Sequence, residues 1–172
     1  MLNTLTNWLN SLTIQKDQYT LRFPLRALAD RYSSCALSTA GLVITATSGK
    51  KVPKTGAADS YYSVNGVLRK IASGTDMPAL SGTVTNATFN VFCFYVDSAG
   101  TTTSQIGTAG ATLAAVVFPQ PPEQKAMIGF IIINPTGTGD FVGNTTALDD
   151  VTVVPNTVYV SPIGSYDPTV LL

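Results

Sequence analysis

The sequence feature that most constrains the fold is an apolar run of eight residues, AMIGFIII, at positions 126–133. It lies between Pro121-Pro122 and Asn134-Pro135, and half of it is isoleucine. A short run rich in β-branched residues between two breakers predicts a buried strand rather than a helix. Because apolar and polar residues do not alternate along it, we expect both faces to be covered, one by the core and the other by a second sheet or a neighbouring subunit.

The polar segment that follows, at positions 135–150, is rich in threonine and glycine. This composition neither continues a strand nor begins a helix, so it predicts a loop. Phe141, Val142 and Leu148 lie within it, and we expect them to anchor the loop to the core.

From Cys35 onwards, short apolar runs alternate with clusters of Gly, Ser, Thr, Asn and Pro. Asn65-Gly66 between two such runs predicts a β-hairpin, because a type I′ turn needs positive φ at both central positions. In addition to the run at 126–133, the predicted strands are residues 42–47, 61–64, 67–71, 113–118, 151–154 and 157–160, and residues 83–96 contain one more.

The predicted strand within residues 83–96 carries aromatic residues on both of its faces, which is typical of a central or interfacial strand. The two-residue period of a strand sorts the side chains into two sets. Phe89, Val91, Cys93 and Tyr95 point one way, whereas Phe92, Phe94 and Val96 point the other.

Several short strands separated by turns predict a mainly β chain, organised as an antiparallel β-sandwich or a jelly-roll-like domain with a short N-terminal amphipathic helix or arm. We expect residues 1–35 to form that helix and arm, a candidate docking segment. Residues 36–172 would form the β-sandwich body with a C-terminal tail.

The first dozen residues place Leu2, Leu5, Leu9 and Leu12 on one helical face, with Trp8 beside them. A helix this short needs something to pack against. Two interpretations stay open: a helix lying on its own domain, or an arm that attaches to a partner or to symmetry mates.

The charge composition argues against nucleic acid and anionic membranes as partners. The chain has 10 basic and 10 acidic residues, no run long enough to span a bilayer and no early cation typical of a secretory signal. Only 12% of residues are charged, against about 25% typically, and the mean hydropathy is +0.24. Either partners cover part of the surface, or the surface is polar without being charged.

The sequence predicts no enzyme, cofactor or metal site. It contains no histidine, which removes Ser-His-Asp, Cys-His and histidine-containing metal sites together. Asp149 and Asp150 are adjacent and would face opposite ways on a strand, so they make a poor acid–base pair. Cys93 is expected to be a buried thiol, and a Cys35–Cys93 disulfide is supported by no spacing rule.

The chain resembles tailed-bacteriophage virion proteins encoded with the head genes, namely capsid decoration (cement) proteins and related head-fibre proteins. The resemblance covers residues 40–160. It is carried by YYSVNGVLRKIASGTDMPALSGTV, FNVFCFYVDSAG and KAMIGFIIINPTGTGDFVGNTTALDD. It implies a homotrimer with a β-sandwich or jelly-roll body, made in the host cytoplasm and located on the capsid exterior.

Two functions follow from this resemblance. As a decoration subunit, the chain would bind the outer shell and bridge adjacent major capsid proteins. As a head- or tail-fibre subunit, it would anchor by its N-terminus and contact the host surface, with Tyr61, Tyr62 and Tyr166 as the candidate exposed aromatics. A secreted carbohydrate-binding module is a third, weaker alternative. The candidate partner-binding residues are Leu5, Trp8, Leu9, Arg22, Arg26, Leu171 and Leu172.

Overall fold

The computed structural model describes residues 32–45 and 55–165, together with Leu25, Ala29 and Asp30. This part of the chain is mainly β and every strand pair in it is antiparallel. The described residues between 25 and 33 are helical, and none of the helices described is long and apolar enough to cross a membrane. The strands are β1 (Cys35–Ala36), β2 (Ser60–Val64), β3 (Val67–Ile71), β4 (Thr83–Val84), β5 (Asn90–Val96), β6 (Thr102–Ile106), β7 (Ala126–Ile133), β8 (Phe141–Val142) and β9 (Val158–Val160).

These strands form three sheets. The first has the order β1-β2-β3, the second pairs β4 with β8, and the third has the order β6-β5-β7-β9. The segment after β9 returns to the first sheet, where the N–H of Gly164 donates a 2.7 Å hydrogen bond to the carbonyl of Ala36. The first and third sheets are therefore linked on the β1 and β9 side, whereas β3 and β6 are the strands at their opposite edges.

The main core is shared by all three sheets. It contains Tyr62 and Val64 of the first sheet, Phe92 and Ile131 of the third, and Phe141 of β8. Phe92 and Phe141 meet edge to face with ring centroids 6.0 Å apart. Burial of these large side chains is the dominant stabilising contribution, about 1.5–3 kcal/mol for each one.

The second face of β5 and β7 is also covered, and the cover comes from the same chain. Val91, Cys93 and Tyr95 lie on this face of β5, and all three are fully buried. Phe118 packs edge to face on Phe130 of β7, with ring centroids 5.1 Å apart. The predicted alternation in β5 is confirmed. Both faces of β7 are covered as expected, but Phe118 and Val116, which cover the second face, lie outside the named strands of the same chain rather than in a second sheet or a neighbouring subunit.

A β-bulge interrupts the central pair of strands. Phe94 lies opposite Gly129, whereas Tyr95 lies opposite Met127, so Ile128 is the extra residue. Bulges of this kind bend a strand and increase its local twist. Here the bulge places both Ile128 and Ile131 in the main core.

The loop after β7 is anchored as expected by two of its three apolar residues. Phe141 is fully buried and Leu148 nearly so. Val142 is 40% exposed, because its neighbour Phe141 already takes the inward position in the two-residue strand β8.

The strand predicted within residues 83–96 is present as β5, and the strand predicted at 42–47 is shorter than expected. Residues 83–96 divide into β4 and β5 around a turn, where Ala87 adopts φ 61° and its N–H donates to the carbonyl of Pro135. In the predicted strand at 42–47, the described residues 42–45 contain only an isolated bridge at Val43. Residues 46 and 47 lie outside the described part.

Two predicted strands are wrong. Residues 113–118 contain a 3₁₀ turn at Leu113–Ala115 with no buried residue, and Phe118 is buried in the second core cluster with Val116 packed against it. Residues 151–154 form turns, because the carboxylate of Asp150 accepts the N–H of Thr152 and its backbone carbonyl accepts the N–H groups of Val153 and Val154. A side-chain acceptor of this kind competes with strand pairing.

Candidate interaction surface

The candidate partner-binding residues predicted from the sequence lie outside the described residues. These are Leu5, Trp8, Leu9, Arg22, Arg26, Leu171 and Leu172. The structure therefore neither brings them together nor separates them, and they stay predictions. It does describe a second surface, on the hairpin of β2 and β3.

The hairpin forms where Asn65-Gly66 predicts it. Asn65 has φ 52° and Gly66 has φ 76°, and Val64 lies opposite Val67 across the turn. Positive φ at both central positions is the signature of a type I′ turn, whose twist matches that of the flanking strands. The turn fixes the register of β3, and with it the direction of every β3 side chain.

Strand β3 is exposed over most of its length. Four of its five residues are exposed, and only Ile71 is buried. On the outer face of the sheet, Leu68 is 62% exposed and Tyr61 of β2 is 43% exposed. Leu37, which follows β1 and donates its N–H to the carbonyl of Tyr61, adds a third apolar side chain at 49% exposure. We call Leu37, Tyr61 and Leu68 the outer patch.

The backbone of β3 has one free edge within the described part of the chain. In an antiparallel pair, hydrogen-bonded residue pairs alternate with pairs that are not bonded. Because Val64 and Val67 close the two-residue turn, Tyr62 and Arg69 form the next bonded pair. Leu68 and Lys70 then direct their N–H and C=O groups away from β2, and no other described strand pairs with β3.

A groove lies between the β2–β3 hairpin and the turn that follows β5. Its volume is about 470 Å³, and it is lined by Tyr61 and Tyr62, by the β3 residues 68–70, and by the turn at 98–100 between β5 and β6. The hydroxyl of Tyr62 donates a 3.2 Å hydrogen bond to the carbonyl of Asp97, which joins β2 to the start of that turn. The carboxylate of Asp97 accepts the N–H groups of Ala99 and Thr101 at 2.9 Å each, which shapes the turn.

Two consecutive cations of β3, Arg69 and Lys70, line the groove. The Nζ of Lys70 is 2.9 Å from Oδ2 of Asp59. Hydrogen bonds from Lys70 and from the N–H of Ser73 lower the pKa of Asp59, and Asp59 in turn raises the pKa of Lys70. Arg69 has no carboxylate within ion-pair distance among the described residues. Burial and the charge of Asp97 raise the pKa of Tyr62, whereas Arg69 opposes that shift. Within the described part of the chain, Arg69 is therefore a cation without an ion-pair partner, on the face of β3 opposite to the outer patch.

The shifted pKa values elsewhere in the described chain come from burial or from local hydrogen bonds. Burial raises the pKa of the Cys93 thiol to about 12, only partly offset by the neighbouring Tyr95 hydroxyl. A protonated, buried thiol is a poor nucleophile. Hydrogen bonds from the side chain and the N–H of Thr152 lower the pKa of Asp150, and both bonds lie within the turn that begins at Asp150. Residues 32–45 and 55–165 contain no group of His, Cys, Asp and Glu side chains arranged to hold a metal ion.

The sequence predicted the hairpin, but the exposed edge of β3 was not predicted from it. The available signal was the run VLRKI, in which two adjacent cations follow two apolar residues without alternation. Consecutive cations on a strand are typical of an edge, because they discourage pairing with an identical copy.

Comparisons with known proteins found no match to a protein-family model, to a curated protein or to a solved structure.

Proposed function

We propose that this chain is a structural protein of a tailed-phage virion, a capsid decoration or cement subunit that binds the outer shell and bridges adjacent major capsid proteins. The sequence resemblance over residues 40–160 suggests this role. The observation that best supports it is the exposed outer patch beside an edge of β3 with which no other described strand pairs, in a chain with 12% charged residues. Exposed apolar surface of this kind is typical of protein–protein contact.

We also infer a β-sandwich or jelly-roll-like body. The support is that residues of the three-stranded and four-stranded sheets contribute to one core, as Tyr62 and Phe92 do. We propose that the body assembles as a homotrimer, because a decoration subunit that bridges neighbouring capsid proteins gains avidity from each repeated contact. Analytical ultracentrifugation tests this directly, and a monomer both in solution and on the shell would contradict it.

The shell-binding test uses capsids of the encoding phage from which this subunit has been removed. Wild-type protein should reoccupy lattice positions on the capsid exterior, as seen by electron cryomicroscopy. Failure to bind, or density only on a protruding fibre, would refute the decoration role. Fibre density would favour the alternative, a head- or tail-fibre subunit anchored by its N-terminus. Of the aromatic residues expected for that alternative, Tyr61 is exposed, Tyr62 is buried and Tyr166 lies outside the described residues.

The N-terminal segment remains the proposed anchor in either case. Truncating an aromatic anchor at an interface typically costs about 2 kcal/mol, a factor of about 30 in affinity. We expect Trp8→Ala protein to occupy fewer shell positions than wild type at limiting concentration. Equal occupancy would contradict the N-terminal segment as the anchor and would move the contact to the body, where the outer patch is the next region to test.

A further inference from the structure

We propose that the edge of β3 that faces away from β2 binds an extended acidic segment of a partner protein, which adds as a further antiparallel strand to the β1-β2-β3 sheet, like the strands already in it. The proposal deepens the decoration role, on which it rests only for the identity of the partner as a shell protein. Three observations carry it: the backbone edge of β3 that no other described strand pairs with, the adjacent groove, and Arg69, which has no ion-pair partner among the described residues.

The backbone edge supplies the affinity of such a contact. The N–H and C=O groups of Leu68 and Lys70 point away from β2, at the spacing that an added strand needs. The groove of about 470 Å³ lies between the hairpin and the turn at 98–100, and the β3 residues 68–70 line it. In strand addition, main-chain hydrogen bonds provide the binding and alternate side chains provide the specificity.

The register of β3 specifies the side chains of the partner. Leu68 lies on the outer face beside the exposed Tyr61, so the partner residues that bond to Leu68 and Lys70 should be aliphatic. The partner residues between them lie on the face of Arg69, and an acidic residue there would pair with its guanidinium. Neighbouring positions of an added strand alternate between faces, so the segment is one in which aliphatic and acidic residues alternate.

A second copy of this chain is a poorer occupant of the same edge. If two β3 strands paired around a twofold axis at Arg69, the two guanidinium groups would lie directly opposite one another. Like charges directly opposite in a sheet are destabilising. An acidic partner makes the same hydrogen bonds without that repulsion.

A peptide experiment tests the edge without any shell. The probe is a short synthetic peptide in which valine alternates with glutamate, and binding to the full-length protein is followed by fluorescence anisotropy. Methylating the valine amides removes the N–H groups expected to face β3 and should abolish binding. Methylating the glutamate amides instead removes N–H groups that face away, so that peptide should bind as the parent does. Equal binding by the two methylated peptides, or no binding by the parent, would overturn the proposal.

Hydrogen exchange provides an independent measurement. In the free protein, the amides of Leu68 and Lys70 should exchange rapidly while that of Arg69, bonded to β2, is protected. The peptide should slow exchange at Leu68 and Lys70. If both amides are already protected in the free protein, the edge is occupied by another segment of the chain itself or by a second copy, and the proposal fails.

Charge variants complete the test. Arg69→Gln should weaken peptide binding at least tenfold, and a peptide with glutamine in place of glutamate should show the same loss with wild-type protein. Lys125→Gln is the matched control, because it removes the same charge from a side chain that bonds Thr103 rather than lining the groove. Equal effects of both variants would overturn the role of Arg69.

The same two variants on stripped shells separate this inference from the proposed function. Peptide binding without shell binding by wild type would refute the decoration role and support the edge site. Shell binding that is unaffected by Arg69→Gln would support the decoration role and overturn the edge as its docking site.

Discussion

Leu42 packs directly against the Cα of Gly129, at the bulge in the central strand β7. A Cβ atom at position 129 would collide with Cδ1 of Leu42 and would lie 2.7 Å from the carbonyl oxygen of Val160. Leu42 precedes the isolated bridge residue Val43 and is nearly fully buried. The absence of a side chain at 129 therefore lets a distant segment close over the main core.

Gly129→Ala should destabilise the protein by about 1–3 kcal/mol, because overpacking forces both a side chain and a backbone carbonyl to move. The measurement is the free energy of unfolding in urea. In a double-mutant cycle, Leu42→Ala should relieve the side-chain part of the collision, so the two costs should be less than additive. Strict additivity would show that Leu42 and Gly129 do not meet.

Gly66→Ala should cost about 1 kcal/mol for a different reason. A Cβ at position 66 would meet no atom within 4 Å, but the residue has φ 76°, which an L side chain adopts with strain. The loss of stability should therefore be independent of neighbouring side chains. No loss on thermal melting would mean that the type I′ turn is not formed.

Ile131→Asp should abolish folding, whereas Ile163→Asp should leave the melting temperature within a few degrees of wild type. Ile131 is fully buried in the main core and Ile163 is 63% exposed. Burying a carboxylate without a partner costs several kcal/mol, comparable with the whole stability of a domain. The substitution is the same at both positions, so circular dichroism of the two variants isolates the effect of burial. A folded Ile131→Asp protein would contradict the position of β7.

Stability should fall as the pH rises from about 9 to about 12. Burial raises the pKa of Cys93 from 9.0 to about 12, and burial together with the charge of Asp149 raises the pKa of Tyr159 from 10.0 to about 12. A raised pKa means that the folded state keeps a proton that the unfolded state loses. The contribution is therefore complete below pH 9 and declines above it, for Cys93 by at most about 1.4 kcal/mol per pH unit.

The control for this pH dependence is Cys93→Ala, which will be less stable at neutral pH because of the cavity it leaves. Between pH 9 and 10, however, its free energy of unfolding should change less with pH than that of wild type. An equal slope in the two proteins would show that the Cys93 thiol does not titrate differently in the folded and unfolded states.

A thiol reagent should modify one cysteine of the native protein and the second only after unfolding. Cys35 is half-buried in β1 and Cys93 is fully buried in β5, and both are free. Mass spectrometry after alkylation identifies the reactive site as Cys35. If neither cysteine reacted until a reductant was added, a disulfide would be present and the assignment of free thiols would be wrong.

The sequence by itself determined the elements whose signals are local. The apolar run at 126–133, the alternation of Phe92 and Cys93 in β5, and Asn65-Gly66 at the hairpin turn all depend on neighbours within a few residues. The mainly β, antiparallel character follows from those signals, because short strands separated by turns can pair with their neighbours directly.

Only the tertiary structure decided which apolar residues are covered. Leu68 and Val117 are as apolar as buried residues, yet they are exposed because no described segment packs over them. At 151–154, the local hydrogen bonds to Asp150 outweighed strand propensity. A Cβ at position 129 has no room only because contacts between residues distant in sequence bring Leu42 against Gly129. Burial depends on contacts between residues far apart in the chain. A pattern along the sequence therefore indicates which faces could be buried, and the packing of the sheets decides which of them are.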